Sequence, residues 1–200
     1  ESWLNLNGYW DFAVSEGAAV PKQFTKQIRV PFCPESQLSG IGKHYSEGCS
    51  LFYRRKLILP EGFNRGRVLL HIGAADQITD VYVNGQELSH HEGGYDCFAC
   101  DITDALGEEN EIVIRCRDDL TNQSFPYGKQ VLPEKRGGMW YTPVSGIWQT
   151  VWLESVPQTY IQKLNIENRG YGVTISTVPA LDGRVKVEGL GEYQLENGTV

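Results

Sequence analysis

The stretch "TDVYVNGQEL", residues 79–88, contains the strongest short hairpin signal in the chain. Apolar and polar residues alternate on both sides of Asn84-Gly85. Both central residues of a type I′ turn need positive φ angles, which Asn and Gly adopt more readily than other residues. The segments before and after Asn84 are therefore predicted to pair as antiparallel strands.

Four further segments have the character of β-strands, and turn residues separate them. They are 51–60, 66–73, 110–118 and 146–154. In the first of them, "LFYRRKLILP", alternate side chains point to opposite faces and Pro60 ends the strand. One face carries Phe52, Arg54, Lys56 and Ile58, and the other carries Leu51, Tyr53, Arg55, Leu57 and Leu59. No segment has apolar residues at helical spacing, so we predict an all-β protein with less than about 15% helix.

The composition of the sequence changes near Pro157, where shorter and less aromatic strand segments begin. We predict one domain over residues 1–157, with a two-sheet antiparallel sandwich over 3–155, and a second domain from 158 to 200. A complete immunoglobulin-like sandwich takes about 100 residues. Residues 158–200 are therefore expected to form only the first strands of a truncated second domain.

The composition is that of a folded globular chain, with 40% hydrophobic and 22% charged residues. The net charge of −7 and the pI near 5.1 argue against nucleic acid and anionic membranes as partners. The sequence has no apolar run of about 18 residues, and "ESWLNLNGYW" lacks the features of a secretory signal. We expect a cytoplasmic location, or a periplasmic or secreted one if a signal peptide has been removed.

The five cysteines are an odd number in a chain that is long enough to form a core, which favours reduced thiols. Cys97 and Cys100 form a Cys-x-x-Cys pair, and His90 and His91 could complete a metal site. On a strand, however, this odd spacing directs the two thiols to opposite faces. Semi-buried structural cysteines are the alternative, and we expect neither a metal nor a cofactor.

Seven motifs in order resemble the N-terminal sugar-binding domain of glycoside hydrolase family 2, which contains β-galactosidases, β-glucuronidases and β-mannosidases. They are "LNGYWDFAV", "VPFCPES", "FYRRKLILP", "HIGAADQITDVYVNGQELSHHEGGYDCFACDIT", "NEIVIRCRDD", "YGKQ" and "YTPVSGIWQTVWLE". The match covers residues 3–155. The resemblance implies a jelly-roll, galactose-binding-like β-sandwich, then an immunoglobulin-like sandwich and a (β/α)₈ barrel. Residues 159–200 resemble the first strands of that second sandwich.

In this family both catalytic glutamates lie on the barrel, so the resemblance implies no catalytic residue in the present chain. Retaining glycosidases need two carboxyl groups about 5 to 5.5 Å apart. The adjacent pairs Asp118-Asp119 and Glu108-Glu109 do not suit this geometry, because neighbours on a strand point apart and those at a turn are solvated. Whether the protein is an enzyme thus depends on further domains, and the full-length protein is expected to be a glycoside hydrolase.

The resemblance also implies a set of substrate-binding residues. A carboxylate just after the strand that matches "EIVIRCRD" helps to hold the terminal sugar, which indicates Asp118, with Asp119 as the alternative. Lys129 and Gln130 of "YGKQ" are candidate polar donors. Trp140 and Tyr141 are candidate rim residues. An ionised carboxylate accepts hydrogen bonds from sugar hydroxyls, and aromatic side chains stack on the ring. For Asp118 the alternative is a pair with Arg117 or a cap on the following turn. For Lys129 and Gln130 it is a solvated loop, and for Trp140 and Tyr141 it is core or interdomain packing.

Residues 119–143 form the longest stretch without strand alternation in the matched region. Loops of this length in compact domains are usually functional or disordered. Aromatic, glycine and charged residues here favour a binding edge, and we predict that Asp118, Lys129, Gln130, Trp140 and Tyr141 cluster there.

In the following strand, 146–154, alternation separates two faces, and we predict that at least one tryptophan row packs within the sandwich or under the next domain. One face has Ile147, Gln149, Val151 and Leu153, and the other has Trp148, Thr150, Trp152 and Glu154.

The sequence leaves the sugar open. Several family members have an asparagine where this chain has Ser46 and Glu47 in "GKHYSEGCS", which weakens the case for a galactose-like contact. The expected partners are a terminal β-glycoside and C-terminal domains of the same chain, with a possible homo-oligomer at full length. A free-standing carbohydrate-binding module and a purely structural or oligomerisation domain are the alternatives. The first would bind oligosaccharide alone, whereas the second would show a large apolar patch.

Overall fold

The computed structural model describes residues 2–45, 47–122, 124, 126, 128–132, 135 and 137–200. The chain divides into two compact units, Glu1–Val156 and Pro157–Val200. Of the described residues, 48% lie in strands and 4% in helix. The helical part includes two 3₁₀ turns, Gln37–Ser39 and Thr103–Ala105. The predicted all-β, antiparallel sandwich fold class is confirmed.

The first unit contains two main sheets. Its strands are β1 (Trp3–Asn5), β2 (Gly8–Ser15), β3 (Lys26–Val30), β4 (Ser50–Leu57), β5 (Gly66–Ile72), β6 (Ala75–Asp76), β7 (Ile78–Val83), β8 (Gln86–Glu92), β9 (Phe98–Asp101), β10 (Asn110–Arg117), β11 (Gly146–Ile147) and β12 (Val151–Pro157). One sheet has the order β1-β12-β5-β9 and the other has the order β3-β2-β4-β10-β7-β8. The short strands β6 and β11 pair with each other in a separate ladder.

The hairpin predicted from Asn84-Gly85 is formed by β7 and β8, which pair antiparallel. Asn84 and Gly85 have φ angles of 51° and 81°, as a type I′ turn requires. Asn84 also accepts a hydrogen bond from the Glu111 N–H and donates to the Asn110 side chain. The turn is therefore fixed both by its own conformational preference and by contacts with the start of β10.

The core lies between the two main sheets and is built from their facing side chains. The large sheet contributes Trp10, Phe12, Leu51, Tyr53 and Ile114, among others, and the small sheet contributes Leu70, Ile72, Val151 and Leu153. The alternation predicted for β4 places Leu51, Tyr53 and Leu57 in this core, whereas Phe52 is buried in a second cluster with Ala13 and Val113. Both faces of β4 are thus covered at its first half.

The predicted single strand over 146–154 is wrong, because the chain forms β11 and β12 with a bend between them. The N–H groups of Trp148 and Gln149 both donate to the Ala74 carbonyl, which interrupts the ladder. Ile147, Val151 and Leu153 are nevertheless fully buried, while Gln149 on the same predicted face is exposed. Trp148 and Trp152 are half-buried, so the core takes the aliphatic row rather than the tryptophan row.

Gly146 makes the start of β11 possible. Its φ angle is +65°, and a Cβ atom built on it would lie 2.1 Å from the Tyr53 hydroxyl oxygen. That hydroxyl accepts a hydrogen bond from the Ile147 N–H at 3.3 Å. The backbone therefore approaches a buried tyrosine more closely than any residue with a side chain allows, and this approach places β11 beside β6.

The second unit consists of two antiparallel hairpins. They are formed by β13 (Lys163–Asn168) with β14 (Val173–Val178), and by β15 (Gly183–Val187) with β16 (Gly191–Leu195). Its buried side chains include Ile175, Thr177 and Leu195. The predicted boundary at 157/158 lies one residue after the observed division.

The cysteines are free thiols, with Cys97 exposed and Cys100 buried; because Cys97 lies before β9, the strand spacing argument does not apply to this pair. Within the part of the chain that the structure describes, no cluster of His, Cys, Asp and Glu is arranged to hold a metal ion. No helix among these residues has the length and apolar character needed to cross a membrane.

Candidate functional site

A cleft of about 220 Å³ opens where the β6–β11 ladder meets the long segment between β10 and β11. We call residues 119–145 the 119–145 segment. Three aromatic side chains line the cleft, namely Tyr95, Tyr141 and Trp148, and Asp76 and Gln130 supply polar groups. Tyr95 and Trp148 meet edge to face with ring centroids 6.4 Å apart. The cleft therefore combines flat apolar walls with hydrogen-bonding groups, the combination that suits a sugar ring.

Gln130 connects the two sides of the cleft. Its Nε2 donates to Asp76 Oδ2 at 3.1 Å, and its Oε1 accepts from the Val144 N–H. The backbone around it is paired with Tyr141, because the Tyr141 N–H donates to the Lys129 carbonyl and its carbonyl accepts from the Val131 N–H. These bonds fix Gln130 and Tyr141 relative to β6, although both belong to a long connection.

Asp76 lies at the end of β6 with only 3% of its surface exposed. Burial raises the pKa of its carboxyl to about 6, which the hydrogen bond from Gln130 opposes and the charge of Glu35 assists. Gly94 packs directly against it, since a Cβ atom there would lie 2.2 Å from Asp76 Oδ1. The Gly94 carbonyl also accepts a hydrogen bond from Trp148 Nε1 at 2.8 Å. Gly94 thus contacts two residues that line the cleft, Asp76 and Trp148.

Asp118 follows β10 and is 8% exposed. Neither of its carboxyl oxygens makes a hydrogen bond of ordinary geometry with the described residues. Burial raises the pKa of Asp118 to about 8, and the charges of Asp76, Glu47 and Glu35 contribute, while the Asp119 backbone N–H lowers it by less. At pH 7 Asp118 is therefore mostly protonated, in contrast to the ionised carboxylate assumed from the sequence.

A hydrogen-bonded network centred on His44 lies beside Asp118. His44 Nδ1 is 3.0 Å from Glu35 Oε1, and His44 Nε2 is 2.9 Å from Glu47 Oε1. Glu35 accepts hydrogen bonds from the Ser145 hydroxyl and N–H, and Glu47 accepts one from the Leu120 N–H. The network therefore contacts both ends of the 119–145 segment.

The predicted site residues differ in the cavities that they line. Gln130 and Tyr141 line the cleft, and Lys129 adjoins them through its backbone. Trp140 is 41% exposed but is not among the cleft-lining residues. Asp118 lines a separate cavity of about 10 Å³. The binding roles assigned to these residues stay predictions.

The alternative residue, Asp119, lines a third cavity of about 160 Å³ with Arg117 and Asn122. Its Oδ1 accepts hydrogen bonds from the N–H and hydroxyl of Thr121, so it stabilises the turn that follows β10. Ser46 and the tyrosine of "YGKQ", Tyr127, were also noted in the sequence, and both lie outside the described residues.

Sequence reasoning missed Asp76, Tyr95 and the His44 network as parts of the site, and assigned Trp148 to packing. Asp76 lies in the stretch "IGAADQI", residues 72–78, where a single carboxylate among mostly apolar residues was a possible signal. Tyr95 follows two glycines, which indicate a close backbone approach. His44 has no regular spacing around it, so no pattern indicated it.

Several curated proteins share sequence with the chain, and three of them illustrate the range. A β-glucuronidase of Bacteroides fragilis is 28% identical over 116 residues, 56% of this chain and 16% of the relative. The β-glucuronidase of Homo sapiens is 30% identical over 135 residues, 58% of this chain and 21% of the relative. A β-galactosidase of Thermoanaerobacter pseudethanolicus is 27% identical over 114 residues, 56% of this chain and 14% of the relative. The resemblance to family 2 glycoside hydrolases is confirmed. The chain spans less than a quarter of the length of each of these three relatives.

Solved structures share the fold. The β-glucuronidase of Faecalibacterium prausnitzii has a TM-score of 0.69 and 22% identity, and the match covers 99% of this chain and 40% of that one. The β-glucuronidase of Ruminococcus gnavus in complex with uronic deoxynojirimycin has a TM-score of 0.61 and 19% identity, with 88% of this chain and 33% of that one covered. No protein-family model matches the chain.

Proposed function

We propose that this chain is the N-terminal, non-catalytic part of a family 2 glycoside hydrolase and that its cleft forms one wall of the pocket for a β-linked glycoside. The cleft geometry carries the proposal, because Tyr95, Tyr141 and Trp148 surround a hydrogen-bonded Asp76–Gln130 pair. The similarity to β-glucuronidases and a β-galactosidase supports glycoside chemistry.

The size of the cleft supports a shared pocket rather than a complete one. Pockets that enclose a drug-sized ligand have volumes of about 300 to 1,000 Å³. The cleft has about 220 Å³, which suits a single ring held against one wall. A longer protein, of the size of the curated relatives, would supply the remaining walls.

The carboxyl groups of Asp76 and Asp118 deserve comparison with a catalytic pair, because their pKa values of about 6 and about 8 are both raised. Asp118, however, borders a cavity of about 10 Å³, the size of one water molecule. A sugar ring cannot reach both carboxyl groups there. A supporting role in binding therefore fits these residues better than glycoside hydrolysis within this chain.

Saturation-transfer difference NMR on chain 1–200 with p-nitrophenyl β-glucoside, β-galactoside and β-glucuronide tests the proposal. At least one sugar ring should receive saturation, and Tyr141→Ala should weaken its binding by about two- to tenfold, since a stacked ring contributes about 0.5 to 1.5 kcal/mol. Tyr9→Ala is the matched control, because Tyr9 is 66% exposed, as Tyr141 is at 63%, and lies on β2 outside the cleft. The proposal fails if no ring is saturated at millimolar glycoside, or if both variants bind equally.

A further inference from the structure

We propose that His44 is a positioning residue that holds the two ends of the 119–145 segment, and with them the cleft, only while its imidazole ring carries a proton on both nitrogens. The cleft lining includes Gln130 and Tyr141 from this segment. We call the bonded set His44, Glu35, Glu47, Leu120 and Ser145 the clamp. Its effect on sugar binding rests on the proposed function, whereas its effect on the segment does not.

The contacts form two chains of bonds that meet at the imidazole ring. On one side, His44 Nδ1 bonds Glu35 Oε1 at 3.0 Å, and Glu35 accepts from the Ser145 hydroxyl at 2.7 Å and its N–H at 3.2 Å. On the other side, His44 Nε2 bonds Glu47 Oε1 at 2.9 Å, and Glu47 Oε2 accepts from the Leu120 N–H at 2.6 Å. Leu120 is the second residue of the segment and Ser145 is its last.

The protonation state follows from the geometry. A carboxylate is only an acceptor, whereas a neutral imidazole has one donor nitrogen and one acceptor nitrogen. Two carboxylate oxygens facing both ring nitrogens therefore require the imidazolium form. A neutral ring would set a lone pair against one glutamate and release it. Burial lowers the pKa of His44, and the hydrogen bonds to Glu35 and Glu47 raise it by more, so the net pKa lies above its ordinary value of 6.5.

The surroundings of His44 contain other titratable groups. Glu35 and Glu47 bond the ring directly. Tyr45, Cys49 and Asp118 line the small cavity beside it. Asp118 is held protonated by burial up to about pH 8, and its ionisation would add a negative charge that favours the imidazolium form. The titration of His44 must therefore be observed at the ring itself rather than inferred from a pH profile.

The experiment follows the His44 ring carbon resonances and the amide hydrogen exchange of Leu120 and Ser145 from pH 6 to 9 in the 200-residue chain. After correction for the intrinsic rate, protection of both amides should fall on the order of tenfold as the pH passes the measured His44 midpoint. His44→Gln should show the low protection already at pH 6, because glutamine is uncharged and carries both N–H donors on one nitrogen, whereas the two carboxylates face different nitrogens of the ring. His71→Gln is the matched control, since His71 bonds Glu154 and is 21% exposed, as His44 is at 20%.

The outcomes separate the clamp from the sugar site. The clamp is refuted if both amides stay protected through the His44 midpoint, or if His71→Gln exposes them as much as His44→Gln. If His44→Gln does not fold, the pH series on the wild-type chain decides alone. Loss of protection at the midpoint with no glycoside binding at any pH supports the clamp and overturns the sugar site. Glycoside affinity that is equal on both sides of the midpoint overturns the positioning role and leaves the sugar site standing.

Discussion

Replacing Asp118 with Asn should make the protein more stable at neutral pH. Asp118 is 8% exposed, and its carboxyl oxygens have no hydrogen-bond partner of ordinary geometry among the described residues. The substitution keeps the size of the side chain and removes its ability to ionise. At neutral pH the carboxyl is ionised in the unfolded chain but protonated in the folded protein, so folding requires the uptake of a proton, a free-energy cost that asparagine does not carry.

The size of the effect follows from the pKa difference between the folded and unfolded chain. The folded pKa is about 8, and the ordinary pKa of an aspartic acid side chain is 3.8. Between these values the folded state binds more protons than the unfolded state, so stability falls as pH rises, by about 1.4 kcal/mol per pH unit. The contribution is fully present below about pH 4 and is lost as the pH rises through 8. From pH 5 to pH 7 the wild type should thus lose about 3 kcal/mol relative to Asp118→Asn.

Urea unfolding of both proteins at pH 5, 6 and 7 measures this difference. The gap between variant and wild type should widen in favour of the variant, while the m-value stays constant. Asp119→Asn is the sign control, because Asp119 accepts hydrogen bonds from Thr121 and its replacement should not raise stability. A constant gap for Asp118→Asn across this range would show that Asp118 is paired or hydrated in the folded protein.

Two further predictions concern the close contact between Gly146 and Tyr53 and the absence of glycoside hydrolysis by this chain. Gly146→Ala should destabilise the protein by about 3 kcal/mol or more in urea unfolding, because it combines an unfavourable φ angle with a clash against the Tyr53 hydroxyl. Gly40→Ala, with φ +83° and nothing within 4 Å of an added Cβ, should lose only about 1 kcal/mol. The purified chain should not hydrolyse p-nitrophenyl β-glycosides. Turnover that is abolished by replacing one carboxylate, for example Asp76→Asn, would reveal a catalytic site.

The sequence predicted those parts of the fold that depend on local preference. Asn84-Gly85 specified its hairpin because the turn conformation is intrinsic to those two residues. Alternation placed Ile147, Val151 and Leu153 on one face, but it did not indicate that this face, rather than the tryptophan face, is the fully buried one. The break between β11 and β12 could not be predicted, because it depends on the Ala74 carbonyl, far away in sequence.

The site was predicted less completely, since it is assembled by contacts distant in sequence. The residue types of the long segment indicated Gln130 and Tyr141, and both line the cleft. Asp76 joins them only because β6 pairs with β11, and periodicity within either strand does not reveal that pairing. His44 lies in an irregular segment, so neither a period of two nor one of 3.6 identifies its neighbours.

The carboxyl groups around the cleft differ in how fully the chain satisfies them, and the difference indicates where a ligand or further protein would act. Glu35 and Glu47 are bonded to His44 and to backbone N–H groups, so they stabilise the loop they hold. Asp76 accepts a hydrogen bond from Gln130 Nε2, whereas no described side chain donates to Asp118. Local rules are most often violated at functional sites, where stability is given up for binding. If Asp118→Asn stabilises the chain as expected, the wild-type carboxyl serves no folding purpose, which strengthens the case that this edge of the sandwich exists to bind.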